Sequence, residues 1–220
     1  MRYLKLLILT SLLTTITSCS LFLSKPRVDF RRYITGEGLN EKTSQDIISS
    51  LTRFGYLGGG NYEVKAYPIT LPLIESEAKE LQALRGFNKA QLNKIINKKR
   101  IEYTEQKTCF QLNYSVIRFK EVAPLKSWKA YIVTKDQTEF PVKWKESSLK
   151  KKPISSIITG LYGIESKWYN EGIGCVDVGL PIEKGFLIKL VPSYVQWPFP
   201  DSASLTWGMP ELTFQSYRGY

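Results

Sequence analysis

Histidine is absent from all 220 residues. With it go Ser-His-Asp and Cys-His catalysis, His-ligated zinc and imidazole-based pH switching. Cysteine is scarce: Cys19, Cys109 and Cys175 are the only three, and none sits in a Cys-x-x-Cys pair that binds metal or cycles between thiol and disulfide. Long apolar runs are missing too. The most hydrophobic stretch, Leu6 to Leu13, is broken by Thr10 and Ser11, and its extension to Ile16 by Thr14 and Thr15. It falls well short of the ~20 residues that a membrane-crossing helix needs. Acidic side chains are also few, 20 against 31 Lys and Arg, for a net charge of +11. No internal repeat stands out, and any catalysis is left to carboxylates, Lys, Tyr and hydroxyls.

What is present begins at the N-terminus. Arg2 and Lys5 precede the short apolar run, which ends in Ile16-Thr17-Ser18-Cys19. A basic start, a short apolar middle and a small-residue cleavage site form a signal peptide rather than a transmembrane anchor. The alternative is an N-terminal helix packed on the domain. The tetrapeptide resembles the lipobox of bacterial lipoproteins: an aliphatic residue three before the cysteine, two small residues, then the cysteine. The resemblance covers about the first twenty residues and implies removal of 1–18, a diacylglyceryl thioether on Cys19 and an acylated amine. Each acyl chain contributes ~0.8 kcal/mol per buried CH₂, so two or three hold a chain at a bilayer without crossing it. Ser20, where an Asp would retain such a protein at the inner membrane, implies the outer membrane. Residues 19–36, interrupted by Pro26, are expected to be a tether. The resemblance supplies an address in the cell envelope and no activity.

Loss of 1–18 removes Arg2 and Lys5 and no acid, leaving 29 basic against 20 acidic residues and a net charge of +9. Such a charge draws an anchored protein to anionic lipid or glycan, although a solvated basic face is the plainer reading. Export argues against nucleic acid. An oxidising compartment permits Cys109 and Cys175, both in strand-like segments, to form a disulfide; two separate buried thiols are the alternative. No residue is assigned to catalysis, to a cofactor or to a metal.

The periodicity predicts an α+β fold: N-terminal helical segments followed by an antiparallel β-sandwich-like domain. The expected divisions are a signal peptide at 1–18, a tether at 19–36, a mainly helical region at 37–105 and the sandwich at 106–220. Ile47, Ile48, Leu51 and Phe54 recur at helical spacing behind Asn40, a candidate N-cap. Tyr62 to Leu73 looks extended, with Pro68 and Pro72 pushing it towards an edge strand or loop. Helices are expected from Glu75 to Leu84, stopped by Gly86, and from Asn88 to about Glu105. The latter carries Leu92, Ile95 and Ile96 on one face and Lys89, Lys94, Lys98, Lys99 and Arg100 on the other. That face either packs a core with solvated lysines behind it or lies on anionic lipid. Beyond Lys107 the period becomes two: Phe110, Leu112, Tyr114, Val116; Phe140, Val142, Trp144; Val176, Val178, Leu180; Phe186, Ile188, Leu190.

Few motifs point to chemistry. Gly163-Ile164-Glu165-Ser166-Lys167-Trp168 resembles the catalytic opening of lytic transglycosylases, which implies Glu165 as a general acid. The Gly-Leu-Met-Gln type segment of that family is absent. Gly58-Gly59-Gly60 lacks the Gly-Lys-Ser/Thr ending of a phosphate loop and reads as a hinge. Lys150-Lys151-Lys152 reads as a solvated loop. Gln196-Trp197-Pro198-Phe199-Pro200 and the terminal Phe214, Tyr217 and Tyr220 are contact patches if exposed. The expected function is a non-enzymatic envelope lipoprotein with a structural or protein-binding role. The alternatives are a glycan-acting hydrolase or lyase using carboxylates such as Glu165 or Asp177, which requires a cleft with two acidic groups facing each other across roughly 5 to 9.5 Å, and a small-ligand carrier.

Overall fold

A computed structural model describes residues 30–39, 42–57, 62–117, 124–146, 150–153, 166–192 and 202–209. The chain is α+β, with helices preceding and flanking two antiparallel sheets. In order, the elements are α1 (Phe30–Thr35), α2 (Ser44–Leu51), β1 (Arg53–Leu57), β2 (Tyr62–Pro68), α3 (Leu71–Arg85) and α4 (Lys89–Arg100). A π-helical turn, Ile101–Glu105, ends α4, and β3 (Thr108–Ile117), β4 (Trp128–Thr134), β5 (Glu139–Pro141), β6 (Lys143–Glu146) and β7 (Lys150–Pro153) follow. The series closes with β8 (Ser166–Val176), β9 (Phe186–Pro192) and β10 (Ala203–Trp207).

The helix starts follow from local chemistry. Thr43 caps α2 and forms a reciprocal capping box with Asp46, worth about 1 kcal/mol. The expected cap, Asn40, lies outside the described residues. The helix also stops at Leu51, so Phe54 belongs to β1. Thr70 caps α3 and Pro72 occupies its first turn, where proline's missing N–H costs nothing. Leu71 and Leu73, expected to be extended, are therefore helical. Gly86, at φ 66°, ends α3, and Asn88 opens α4 through a capping box with Gln91.

The larger sheet runs β1-β2-β3-β8-β6, with β7 also paired to β8. β2 is thus an interior strand and not the edge that its prolines suggested; Pro68 is its last residue, opposite Phe110. The interval 37–105 therefore contributes two strands to the sheet, besides its helices. Likewise α1 falls within the expected tether, with Phe30 buried. Lys150–Lys152 form a strand on β8, not a loop. The smaller sheet runs β10-β9-β4-β5.

The two sheets share one core. Val64, Ala66, Phe110, Leu112 and Tyr114 from one side meet Ile132, Ile188, Leu190, Leu205 and Trp207 from the other, joined by Leu51 and Leu73 of the helices. At one margin the chain passes directly from β5 to β6, changing sheets at Val142, whose N–H still bonds Ala130 O at 2.9 Å. At the other margin the Arg53 Nε–H of β1 donates to Thr206 O of β10 at 3.2 Å. Gly174 permits a close approach inside: a Cβ there would meet Phe110 Cζ and Val142 Cγ1 at 2.7 Å. Phe110 and Trp144 pack edge to face in that space, with centroids 5.6 Å apart.

Candidate docking surface

The cysteines divide. Cys19 lies outside the described residues, as do Gly58–Gly60, Glu165, Gln196–Pro200, Phe214, Tyr217 and Tyr220. Cys109 and Cys175 are register partners in β3 and β8, with Cα atoms 4.2 Å apart and sulfurs at bonding distance, 2.09 Å. Next to them Thr108 Oγ1 donates to Val178 O at 3.0 Å and accepts from Leu180 N–H at 2.8 Å. This clip bends the chain away after Val176. Val178 and Leu180, expected to prolong the alternation, are therefore outside β8, and Val178 is exposed.

Asp177 does not have the surroundings of a general acid. Lys143 Nζ donates a short hydrogen bond to it, and Lys107 Nζ lies 3.5 Å from its other oxygen. The Lys143 hydrogen bond and charge, helped by Lys107, hold its carboxyl below the usual carboxylate range. An exposed carboxylate kept ionised accepts protons poorly and donates none at neutral pH. Among the described residues no group of three His, Cys, Asp or Glu is placed to hold a metal ion, and no helix is long and apolar enough to cross a membrane. A cleft of about 350 Å³ opens between the π-helical turn and the chain after β8, with Ile69, Leu71 and Ile182 as its floor and Arg100, Lys107 and Glu183 among its polar walls.

Among the described residues the most exposed aromatic side chains are on β1. Period-two geometry turns Gly55 inward and Phe54 and Tyr56 outward. A Cβ at Gly55 would stand 3.0 Å from Leu205 Cδ2 and 3.1 Å from Val64 Cγ2, so the missing side chain lets β1 close on the core. Phe54 and Tyr56 remain 59% and 65% exposed. Their register partners on β2 are Lys65 and Glu63. Lys65 Nζ sits 5.3 Å from the Phe54 ring centroid and 3.2 Å from Glu63 Oε1. The same face continues through Asn113 of β3 to Glu171 of β8. Two exposed rings thus lie together on a sheet margin, flanked by one cation and carboxylates.

Sequence reading missed this patch because Phe54 fits the helical spacing of Ile47 and Leu51. The signal that finds it is the pentapeptide Arg53-Phe54-Gly55-Tyr56-Leu57, with aromatics at i and i+2 around a glycine.

The fold defines an α+β protein of two antiparallel sheets, with Phe54 and Tyr56 exposed on the larger one among the described residues. No protein-family model, no curated protein and no solved structure matches the chain.

Proposed function

We propose that this chain is a lipid-anchored protein of a bacterial cell envelope, held at the outer membrane through Cys19, and that it acts without catalysis by binding another envelope protein on the β1–β2 face. The exposed pair Phe54 and Tyr56 carries the reading: two large rings left in water on a sheet margin are stabilised when a partner covers them. The Ile16-Thr17-Ser18-Cys19 sequence and the disulfide distance between Cys109 and Cys175 both suit an exported protein. Against a glycan-acting enzyme, Asp177 is tied to two lysines. Against a ligand carrier, the space between the sheets is occupied by Leu112, Ile132, Ile188 and Leu205.

A photo-crosslinking residue replacing Tyr56 in the acylated full chain tests this in intact envelopes. One discrete protein adduct is expected. The Phe54→Ala/Tyr56→Ala double variant is expected to weaken recovery of that partner by about 30-fold or more, with stability little altered because both rings are exposed. Diffuse crosslinking, together with equal recovery of all proteins by the variant, contradicts the reading.

A further inference from the structure

Helices α3 and α4 form a hairpin whose far half stands clear of the body. Every buried residue of α3 lies in its N-terminal half: Pro72, Leu73, Ile74 and Ala78. α4 buries none fully, and its Leu92, Ile95 and Ile96 are partly buried. At ~1.5 Å per residue the fifteen residues of α3 reach about 22 Å from base to tip. At the tip Leu84 is 83% exposed, followed by Arg85 and the Gly86 turn.

Charge along this hairpin is one-sided. From Leu81 to Ile101 there are six basic residues and no acid. Two of the six are neutralised at the base, Lys99 by Glu77 at 2.9 Å and Arg100 by Glu105 at 2.9 Å. The other four, Arg85, Lys89, Lys94 and Lys98, are exposed and have no ion-pair partner among the described residues. Glu102 at the base meets Lys145 at 3.7 Å, and Glu80, midway along the hairpin, accepts from Ser44 N–H of α2. Arg85 and Lys89 beside an exposed leucine, backed by Lys94 and Lys98 further down α4, are complementary to a surface that is anionic outside and apolar just beneath.

We propose that the α3–α4 hairpin docks its tip on the anionic surface of the bilayer, with Leu84 entering the headgroup layer, Arg85 and Lys89 meeting lipid phosphates, and Lys94 and Lys98 adding longer-range attraction from further down α4. This deepens the anchored reading and rests on Cys19 as the attachment point. The eleven residues from Cys19 to Phe30 reach at most about 40 Å, more than the hairpin's length. α1, which begins at Phe30, packs beside the base of α3, Gly36 just beyond it lying against Pro72. Tether and tip therefore reach one plane. Docking converts a loose attachment into a fixed orientation, with lipid and hairpin as two points of contact.

The test uses the acylated full chain with an environment-sensitive fluorophore on Leu84→Cys, in phosphatidylcholine vesicles with and without about 30% phosphatidylglycerol. A blue shift, with quenching by lipid-borne quenchers, is expected in the anionic vesicles alone. About 1 M salt is expected to reverse it, because the Debye length falls to about 3 Å. Lys89→Glu/Lys94→Glu/Lys98→Glu is expected to abolish it while leaving the thermal midpoint within a few degrees of wild type. A label that behaves identically in both vesicles while the chain stays attached overturns docking and leaves the anchor standing. A chain that floats with anionic but not neutral vesicles sustains docking and contradicts the anchor. A shift produced by an acidic polypeptide and by neither vesicle assigns the patch to a soluble polyanion and overturns the bilayer proposal.

Discussion

Reducing the Cys109–Cys175 bond is expected to lower the stability of the fold by about 4 kcal/mol in the chain-entropy model. The two residues are 66 apart in sequence, so the bond removes a long loop's worth of freedom from the unfolded chain. In the folded chain it joins facing positions of β3 and β8, the strands that carry the middle of the larger sheet. Cys109 is buried and Cys175 half-buried, so a reductant reaches the bond from the Cys175 side, and its loss shows as easier unfolding. Denaturant titrations with and without reductant measure the difference. The Cys109→Ala/Cys175→Ala variant is expected to unfold at the lower midpoint in either condition. An oxidised wild type as easily unfolded as that variant would mean that the sulfurs are not joined.

Trp207→Ala is expected to cost about 3 to 5 kcal/mol and to lower the melting temperature by about 6 to 20 °C, given ~2 to 4 °C per kcal/mol for a chain of this size. Its side chain is fully buried and stacks on Phe186 with centroids 4.7 Å and planes 4° apart. Its Nε1–H donates to Leu51 O at 2.6 Å, at the end of α2, and the Arg53 guanidinium lies 5.9 Å from the ring. One residue of β10 therefore ties the smaller sheet to the helical layer and to β1. Truncation leaves a cavity of indole size and an unpaired buried carbonyl. Trp207→Phe separates the two effects, since it refills most of the volume and restores no donor. A melting temperature within two degrees of wild type for Trp207→Ala would contradict the shared core.

Much of the sandwich was legible because burial on one face writes a period of two into the chain. Phe110, Leu112, Tyr114 and Val116 of β3, and Phe186, Ile188 and Leu190 of β9, are buried as that period requires. The same signal misled at Val178, where the Thr108 clip bends the chain, a tertiary contact with no local trace. It went unread in β10, whose Ala203, Leu205 and Trp207 alternate over only five residues. Helix ends that depend on glycine or on asparagine caps were readable, as at Gly86 and Asn88. Those that depend on a choice among several hydroxyl and amide residues were not, since Asn40, Thr43 and Ser44 all offer a cap and only Thr43 has an Asp three residues on. Proline proved ambiguous in the same way: Pro72 breaks a strand and equally well begins a helix, and the neighbouring Thr70 decides for the helix.

The aromatic face was harder to read, because it depends on where α2 ends. Once Leu51 closes the helix, Phe54 and Tyr56 fall on one side of a strand, and Gly55 lets that strand approach Leu205. No local rule distinguishes Phe54 as the last helical apolar position from Phe54 as an outward strand residue. The hairpin was partly legible, since the lysine face of α4 follows from spacing. That its apolar stripe buries no residue fully is a property of the assembled chain.

The mass of the mature N-terminal peptide, taken from protein extracted with detergent from its native envelope, tests the central claim most directly. A chain that starts at Cys19 and carries the mass of a diacylglyceryl group with an acylated amine is expected. A chain that still begins at Met1, with an unmodified Cys19 thiol, would contradict it and leave the β1–β2 face and the α3–α4 hairpin without the membrane beside which both are read.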